Sequence, residues 1–409
     1  MRSCFTGLDF KCKMVSFIMH PGVFSMTVFI AGILLGSSMF ALPSSLFIYG
    51  WYSWIGWFIC TVCTIFLVVI FSALSEKFPD GGGPYQYTIN AYGANAGLVI
   101  GIIHLMGILI QNGAIAYALS LNLQELIGMS SMYIPIVIAG CVNSFSFGTS
   151  ASIAVILSIL KMIPIIIFIV LGVAYIDLSA CLAVPTVLTP VSAISGSVLM
   201  IIYAFAGIEF GLIANTKEVH EPATTIPRAL WLGTILGALI FVLTQAIVWS
   251  VTSTDSNTAL ADAAYQIIVN ISDNAQYGLL AKRVLISSSI LFTLNALNTS
   301  ILITGHFLSA MATNNHLPQY LQITQSVRLP MFCASLLSMM VTFVLFDGLD
   351  GYQSLFRVIL EASNLMMAIA FFAATLAYGR LVSRGMMYKF GIISSALLLV
   401  VGFYSVIFC

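Results

Sequence analysis

Long apolar runs follow one another along the chain, separated by short polar connections. A helix that crosses a bilayer needs about 20 largely apolar residues at 1.5 Å rise each. Eleven such runs predict spans near 24–48, 53–74, 94–123, 132–147, 150–176, 192–215, 229–251, 280–311, 330–347, 353–379 and 387–408. The runs are continuous rather than alternating at every second residue, which argues against a β-barrel. Their helical period is blurred, as expected where most faces meet lipid or other helices. The longest polar connection, about 252–279, holds ALADAAYQIIVNI, read as a short helix lying at the surface.

Composition agrees. Of 409 residues, 60% are hydrophobic and 7% charged, with mean hydropathy +1.07. A soluble domain carries about 25% charged residues. These values exclude a water-soluble fold, a disordered chain, a nucleic-acid binder and a disulfide-stapled secreted module. Fourteen Lys and Arg balance fourteen Asp and Glu, so net charge implies no acidic or basic partner.

Charge placement predicts orientation. With the N-terminus cytoplasmic, the inner segments hold ten basic residues: Arg2, Lys11, Lys13, Lys77, Lys217, Arg228, Arg328, Arg380, Arg384 and Lys389. The outer segments hold three, Lys282, Arg283 and Arg357. The expectation is a multi-pass protein of the cell's inner (plasma) membrane, N-terminus inside and Cys409 outside. The polar start MRSCFTGLDFKCKM shows no cleavable signal.

Two spans carry helix-weakening sequence. The first contains GILLGSSMFALP, with Gly32, Gly36, Ser37 and Ser38 ahead of Pro43. The sixth contains YAFAGIEFG, with Gly207 and Gly211 around Glu209. A broken helix leaves backbone groups unpaired, which hydrocarbon tolerates only where they line a cavity or site. Breaks at matching positions of two halves point to inverted repeats with a site at the midplane. Close packing through small residues is the plainer alternative, and Gly32 and Gly36 fit it.

These residues carry a resemblance. GILLGSSMFALP resembles the first-helix signature of the amino acid–polyamine–organocation transporters. PDGGGPYQYTINAYG (79–93) resembles that family's loop after helix two, and FAGIE (205–209) its sixth-helix break. EPATTIPRA (221–229) resembles the cytoplasmic segment that follows, and ATNNHLP (312–318) the turn after helix eight. Within the family the likeness is greatest to arginine/agmatine and related basic amino acid antiporters. The resemblance implies an all-α, LeuT-like 5+5 inverted repeat with about eleven transmembrane helices. Residues 1–23 would be a cytoplasmic segment and 24–379 the core, with helices 1–5 at 24–176 and 6–10 at 192–379. Residues 380–409 would be an extra helix. Two departures stand out. The family usually has twelve spans, and Ser38 replaces a glycine of its Gly-Ser-Gly.

The resemblance also implies a site. Backbone around Leu34, Gly36, Ser37 and Ser38 would hold a substrate carboxylate, as helix N-termini hold anions. Carbonyls from Tyr203 through Phe205 and Ala206 to Gly207 would accept from its amino group. Tyr203 would cover the substrate and Asn112 would contact its side chain. Ser300 stands where those antiporters stack an aromatic on guanidinium, which leaves smaller amino acids open. Lys161, about 17 Å into the fifth span, would replace a sodium ion. Glu209 would couple protonation to release, and His104 falls at an aromatic gate position.

Residues alone also give readings here. A charge at mid-bilayer costs about 2.5–3.5 kcal/mol on insertion scales, so a buried one invites a functional explanation. His104 and Gln111, seven apart, share a helix face, as do Arg357 and Glu361, four apart and able to pair. His306 and His104 read equally well as packing residues.

Cys60 and Cys63 form a CxxC inside an apolar run, which reads as packing. The connection between spans three and four has no cysteine for a disulfide-linked accessory glycoprotein. No Walker or GxSxG pattern supports ATP-driven or hydrolase chemistry. The expectation is a sodium-independent amino acid antiporter, with neither enzymatic activity nor a cofactor or metal. Its partners would be an amino acid or polyamine and the lipid bilayer, not nucleic acid, with a homodimer left open. A proton-coupled symporter and a non-transporting sensor or assembly subunit are the rivals.

Overall fold

In hydrocarbon, each backbone N–H and C=O must be satisfied within its own segment, and helices are this chain's solution. The computed structural model describes residues 22–36, 38–78, 82–128, 131–145, 160, 162–182, 189–205, 207–208, 221–252, 259–323, 329–347 and 352–408. Among them every regular element is helical.

The first span is two pieces, α1 (Val23–Leu34) and α2 (Ser38–Ser45). The second is α3 (Tyr52–Lys77). A short helix α4 (Gly83–Tyr92) then precedes the third span, α5 (Ala94–Ile127). Next come α6 (Tyr133–Phe145), α7 (Met162–Tyr175) and α8 (Pro190–Phe205), in the predicted fourth, fifth and sixth spans. The seventh and eighth spans, α9 (Pro222–Val251) and α11 (Ala275–Thr313), flank α10 (Ala259–Ser272). Last are α12 (Leu329–Thr342), α13 (Tyr352–Leu381) and α14 (Met386–Phe408). Six of these helices are long and apolar enough to cross a membrane whole, and five are shorter apolar ones.

Two expectations are corrected. Residues 83–92, read as loop, form α4, because Pro84 sits at the start of the helix, where its missing N–H costs nothing. The seventh span begins at Pro222, not 229, with Pro227 inside the helix. Glu221, in the left-handed region at φ 46°, supplies its carbonyl to Thr224 and Thr225 N–H and starts the turn. The surface helix expected over 259–271 is present as α10, which packs along α11.

Small residues let backbones approach. Gly233 and Gly237, four apart on α9, face α1; a Cβ at Gly233 would lie 2.8 Å from the Ile30 side chain. At Gly237 it would lie 3.1 Å from the Leu34 side chain. Gly56 of α3 meets Ser197 of α8, and Gly140 of α6 meets Ser335 of α12, each closer than a Cβ would allow. The result is two packed groups. One is a bundle of α1, α2, α3, α8 and α9; the other is a scaffold of α5, α6, α11 and α12.

Each group has its own buried polar network. In the bundle, Trp57 Nε1–H donates to Gln245 Oε1 at 2.7 Å, and Gln245 Nε2–H donates to Ser53 Oγ at 2.9 Å. In the scaffold, Asn112 Nδ2–H donates to Ser338 Oγ at 2.9 Å and Thr304 Oγ1 at 3.3 Å. Asn143 donates to the Asn298 carbonyl at 3.0 Å. Buried hydroxyls of α11 are tolerated because they bond back into their own helix, as Thr293 does to the Ser289 carbonyl and Thr304 to that of Ser300.

Candidate functional site at two helix breaks

The first span stops being helical after Leu34. Leu35 N–H still reaches the Ala31 carbonyl at 2.8 Å, but Gly36 N–H turns back to the Leu34 carbonyl at 2.9 Å. Helix resumes at Ser38, whose hydroxyl donates to that same Leu34 carbonyl at 3.2 Å. Ser38 therefore spends its hydroxyl on the break's own backbone. Leu34, Leu35, Gly36 and Ser38 are all buried. A restarting helix presents N–H groups without intrahelical partners at its first turn, a setting that suits an anion.

The sixth span also stops. α8 ends at Phe205, and Ile208 N–H makes a long 3.4 Å bond to the Phe205 carbonyl. Gly207 has φ +106°, a conformation that side-chain-bearing residues rarely adopt. The first interruption is thus present in the backbone, and α8 ends at Phe205, where the sequence places the second; residues 209–220 lie outside the described residues. Ser37, Lys161, Ala206 and Glu209 lie outside the described residues, as does the Tyr203 side chain.

The scaffold helix α11 closes on the first break. A Cβ on Gly36 would stand 3.3 Å from the Ala296 Cβ. Ser300 lies one turn along the same face, fully buried, its hydroxyl without a hydrogen-bond partner among the described residues. On the other side of the break, Phe40 of α2 meets Phe292 of α11 edge-on at 5.4 Å. Asn112 has committed its amide nitrogen to the scaffold; its Oδ1 has no partner among the described residues.

His104 is fully buried between α5 and α11, edge-on to Phe307 at 5.2 Å. Neither ring nitrogen has a hydrogen-bond partner among the described residues. Phe307 is eleven residues beyond Ala296, about 17 Å along the helix, so His104 stands well away from the level of the Gly36 contact. The same end holds Tyr85, whose Oη lies 2.7 Å from His316 Nδ1 and whose ring packs on Phe307. Glu361 is 5% exposed; the Arg357 side chain expected to pair with it is outside the described residues.

Sequence reasoning missed the tryptophan ties. Trp249 Nε1–H donates to the Pro43 carbonyl at 2.8 Å, and Trp54 Nε1–H to the Cys181 carbonyl at 2.8 Å. A buried indole needs an acceptor, and that signal was available, though not which acceptor. Cys60 and Cys63 are buried, and among the described residues no three His, Cys, Asp or Glu cluster as a metal site.

The all-helical, multi-span fold is that of LeuT-like membrane transporters, and solved structures share it. A Na+-coupled sialic acid symporter, in a substrate-bound outward-open state, matches with TM-score 0.59 and 12% identity, covering 96% of this chain and 92% of that one. A manganese transporter of Eremococcus coleocola matches with TM-score 0.58 and 12% identity, covering 97% of this chain and 87% of that one. A nucleobase-cation-symport-1 family transporter in a closed conformation matches with TM-score 0.57 and 14% identity, covering 94% and 92%.

The chain belongs to the amino acid permease family, whose profile matches residues 25–409. A cadaverine/lysine antiporter of Escherichia coli strain K12 is 27% identical over 231 residues, 54% of this chain and 52% of that protein. The same antiporter from strain O157:H7 gives the same figures. The chain spans about half the length of the curated relatives it matches. The family and the matched proteins are transporters, not enzymes.

Proposed function

We propose that the protein exchanges a small amino acid for another amino acid or its amine product by alternating access, without sodium. The observation that carries this reading is the interrupted first span, packed against α11 at Gly36, together with the end of α8 at Phe205. Family membership and the antiporter relative support it.

In this reading the substrate carboxylate sits at the N-terminus of α2, on N–H groups around Gly36, Ser37 and Ser38, beside Leu34. Its ammonium meets carbonyls between Tyr203 and Gly207, with Phe205 and Ala206 shaping that wall. Asn112 Oδ1 and the Ser300 hydroxyl face the substrate side chain. Ser300 offers no ring for a cation, and a cation–π contact is worth about 0.5–2 kcal/mol, so a small uncharged side chain is favoured over arginine. Lys161 stands in for sodium, and Glu209 takes and gives the proton that releases substrate. His104 belongs to the closure at the far end. Residues 24–379 are the working core and 380–409 an added helix. The N-terminus and α4 are cytoplasmic, and the membrane is the cell's inner one.

The two separate polar networks suit this mechanism. Bundle and scaffold each hold together internally, and the contact between them at Gly36 and Ala296 is apolar and can slide.

Counterflow in proteoliposomes tests the proposal, run without and with sodium, each of the twenty amino acids and common polyamines offered in turn. Exchange of a small neutral amino acid is expected. No uptake of any of them overturns transport; uptake only with sodium overturns the role given to Lys161.

A further inference from the structure

A carboxamide buried without a partner costs free energy, so each one calls for a reason. Gln111 of α5 is 6% exposed and Asn364 of α13 is 3% exposed. Gln111 Oε1 and Asn364 Nδ2 have no hydrogen-bond partner among the described residues.

Helix geometry gives their directions, at about 100° per residue. On α5, Gly107 faces α13, since a Cβ there would stand 3.2 Å from Met366 Cβ. Asn112 faces α11 and α12, through Thr304 and Ser338. Gln111 lies about 40° round from Gly107 and about 100° from Asn112, so it looks into the angle between α13 and α11. Both of those helices border the bundle. Ala296 of α11 stands against Gly36 at the first break. Phe371 of α13 packs edge-on against Phe71 of α3 and lines a small cavity with Phe205 and Ile208 at the end of α8. Asn364 is seven residues before Phe371 and about 20° round the helix from it, so it presents the same bundle-facing side. Ser300, whose hydroxyl is also without a partner among the described residues, is on the Ala296 face of α11.

The two carboxamides share a level. Tyr92, just before α5, bonds to the Leu376 carbonyl while Gly107 meets Met366, so α5 and α13 run antiparallel. Gln111 is about 6 Å beyond Gly107, and Asn364 about 3 Å beyond Met366 in the same direction. Helix α11 is antiparallel to α5 as well, with Gly101 meeting Met311 and Asn112 meeting Thr304. Ala296 is therefore about 12 Å along the scaffold from the level of Thr304 and Asn112. A solute held at Gly36 reaches the carboxamides only with a side chain of several atoms. Glu361 is the nearest charged residue of α13 to Asn364 among the described residues. It lies about 40° from Leu365, which packs on Gly402, and so is directed toward α14. What faces the bundle is one uncharged acceptor and one uncharged donor, on two different walls.

We propose that Gln111 and Asn364 select the substrate by its side chain, and that this side chain ends in a carboxamide, as in asparagine or glutamine. The assignment rests on the exchange reading given to the first break. Gln111 Oε1 accepts from the substrate's amide N–H, and Asn364 Nδ2–H donates to its carbonyl oxygen. Ser300 meets the same group from α11. An apolar isostere leaves both protein carboxamides unsatisfied, and a hydrogen-bonding site rejects such an analogue most strongly.

Two measurements on the purified full-length chain test this. Melting temperature in detergent and counterflow in proteoliposomes are each read with glutamine, asparagine, their apolar isosteres methionine and leucine, and lysine. Glutamine or asparagine should raise the melting temperature by several degrees, and exchange should favour each over its isostere by about tenfold or more. Gln111→Met and Asn364→Leu should each bring that ratio close to one. Gln111→Leu takes the place of Gln111→Met if that variant does not elute as a monodisperse peak. A merely structural role would lower exchange of every solute alike and leave the ratio where it was. Equal exchange of glutamine and methionine, preference for lysine, or a ratio indifferent to the substitutions overturns the selection and leaves transport standing. A shift by glutamine that Gln111→Met abolishes, with no exchange of any solute, overturns transport and leaves the selection standing. Neither shift nor exchange overturns both.

Discussion

The indole N–H of Trp249 reaches across to the carbonyl of Pro43 at 2.8 Å. Pro43 lies in the last turn of α2, where carbonyls have no intrahelical donor. The bond therefore completes the short second half of the first span and fastens it to α9. Trp249 also stacks on Phe47 at 5.1 Å. Trp249→Phe keeps an aromatic ring and removes the donor, leaving the Pro43 carbonyl unpaired. A loss of about 1–3 kcal/mol is expected, read as a lower melting temperature in detergent. An unchanged melting curve would show the tie to be idle.

Gly36 faces Ala296 where bundle meets scaffold at the first break. Gly36→Ala adds a methyl 3.3 Å from the Ala296 Cβ. Exchange should fall at least tenfold, and Ala296→Gly in the same chain should restore much of it. A double variant no better than the single one would mean that the methyl acts on something else.

Ser38 caps the Leu34 carbonyl through its hydroxyl. Ser38→Ala should cost about 0.5–1.5 kcal/mol of stability, whereas Ser38→Thr, which keeps the hydroxyl, should cost less. If both variants melt alike, the bond contributes nothing.

Gln245 bridges Trp57 and Ser53, and Trp57 in turn packs edge-on against Phe205 at 6.0 Å, at the end of α8. Gln245→Leu strands the indole N–H in an apolar interior, at about 1–3 kcal/mol. Trp57→Phe in the same chain removes the stranded donor and should recover part of that loss. Additive losses in a double-mutant cycle would deny the coupling.

Tyr85, on α4, offers a pH test outside the spans. Burial pushes its phenol up to about 12, against a smaller lowering by the Asn314 amide. The raised value means that the folded state disfavours phenolate. This contribution is complete below about pH 10, the ordinary tyrosine value, and fades as pH rises toward 12. The wild type should therefore lose more stability than Tyr85→Phe over that interval. Parallel curves would remove Tyr85 from the alkaline response.

The breaks were legible because glycine and serine in an apolar run are local signals, and Leu34–Ser38 and Phe205–Gly207 obeyed them. Helix α4 was not, because Gly81 to Pro84 reads as a turn until Pro84 is recognised as a helix start. The early beginning of α9 was hidden by Pro222 and Pro227, which look like breakers in sequence. Long-range ties were beyond reach: Pro43 and Trp249 are 206 residues apart, and Asn112 finds Ser338 at a separation of 226. Asn112 illustrates the limit. The family resemblance implied contact with a solute side chain, while its amide nitrogen is used inside the scaffold.

The scaffold helix α11 buries Ser289, Thr293, Asn298, Thr299, Ser300 and Thr304, every one of them uncharged. Such a wall can shift relative to its neighbours without moving charge through the electric field of an energised membrane. That field is worth about 2.3 kcal/mol per elementary charge per 100 mV. Under the proposed mechanism, voltage sensitivity is expected to fall on the solute, Lys161 and Glu209, and current recorded with either residue neutralised tests its share.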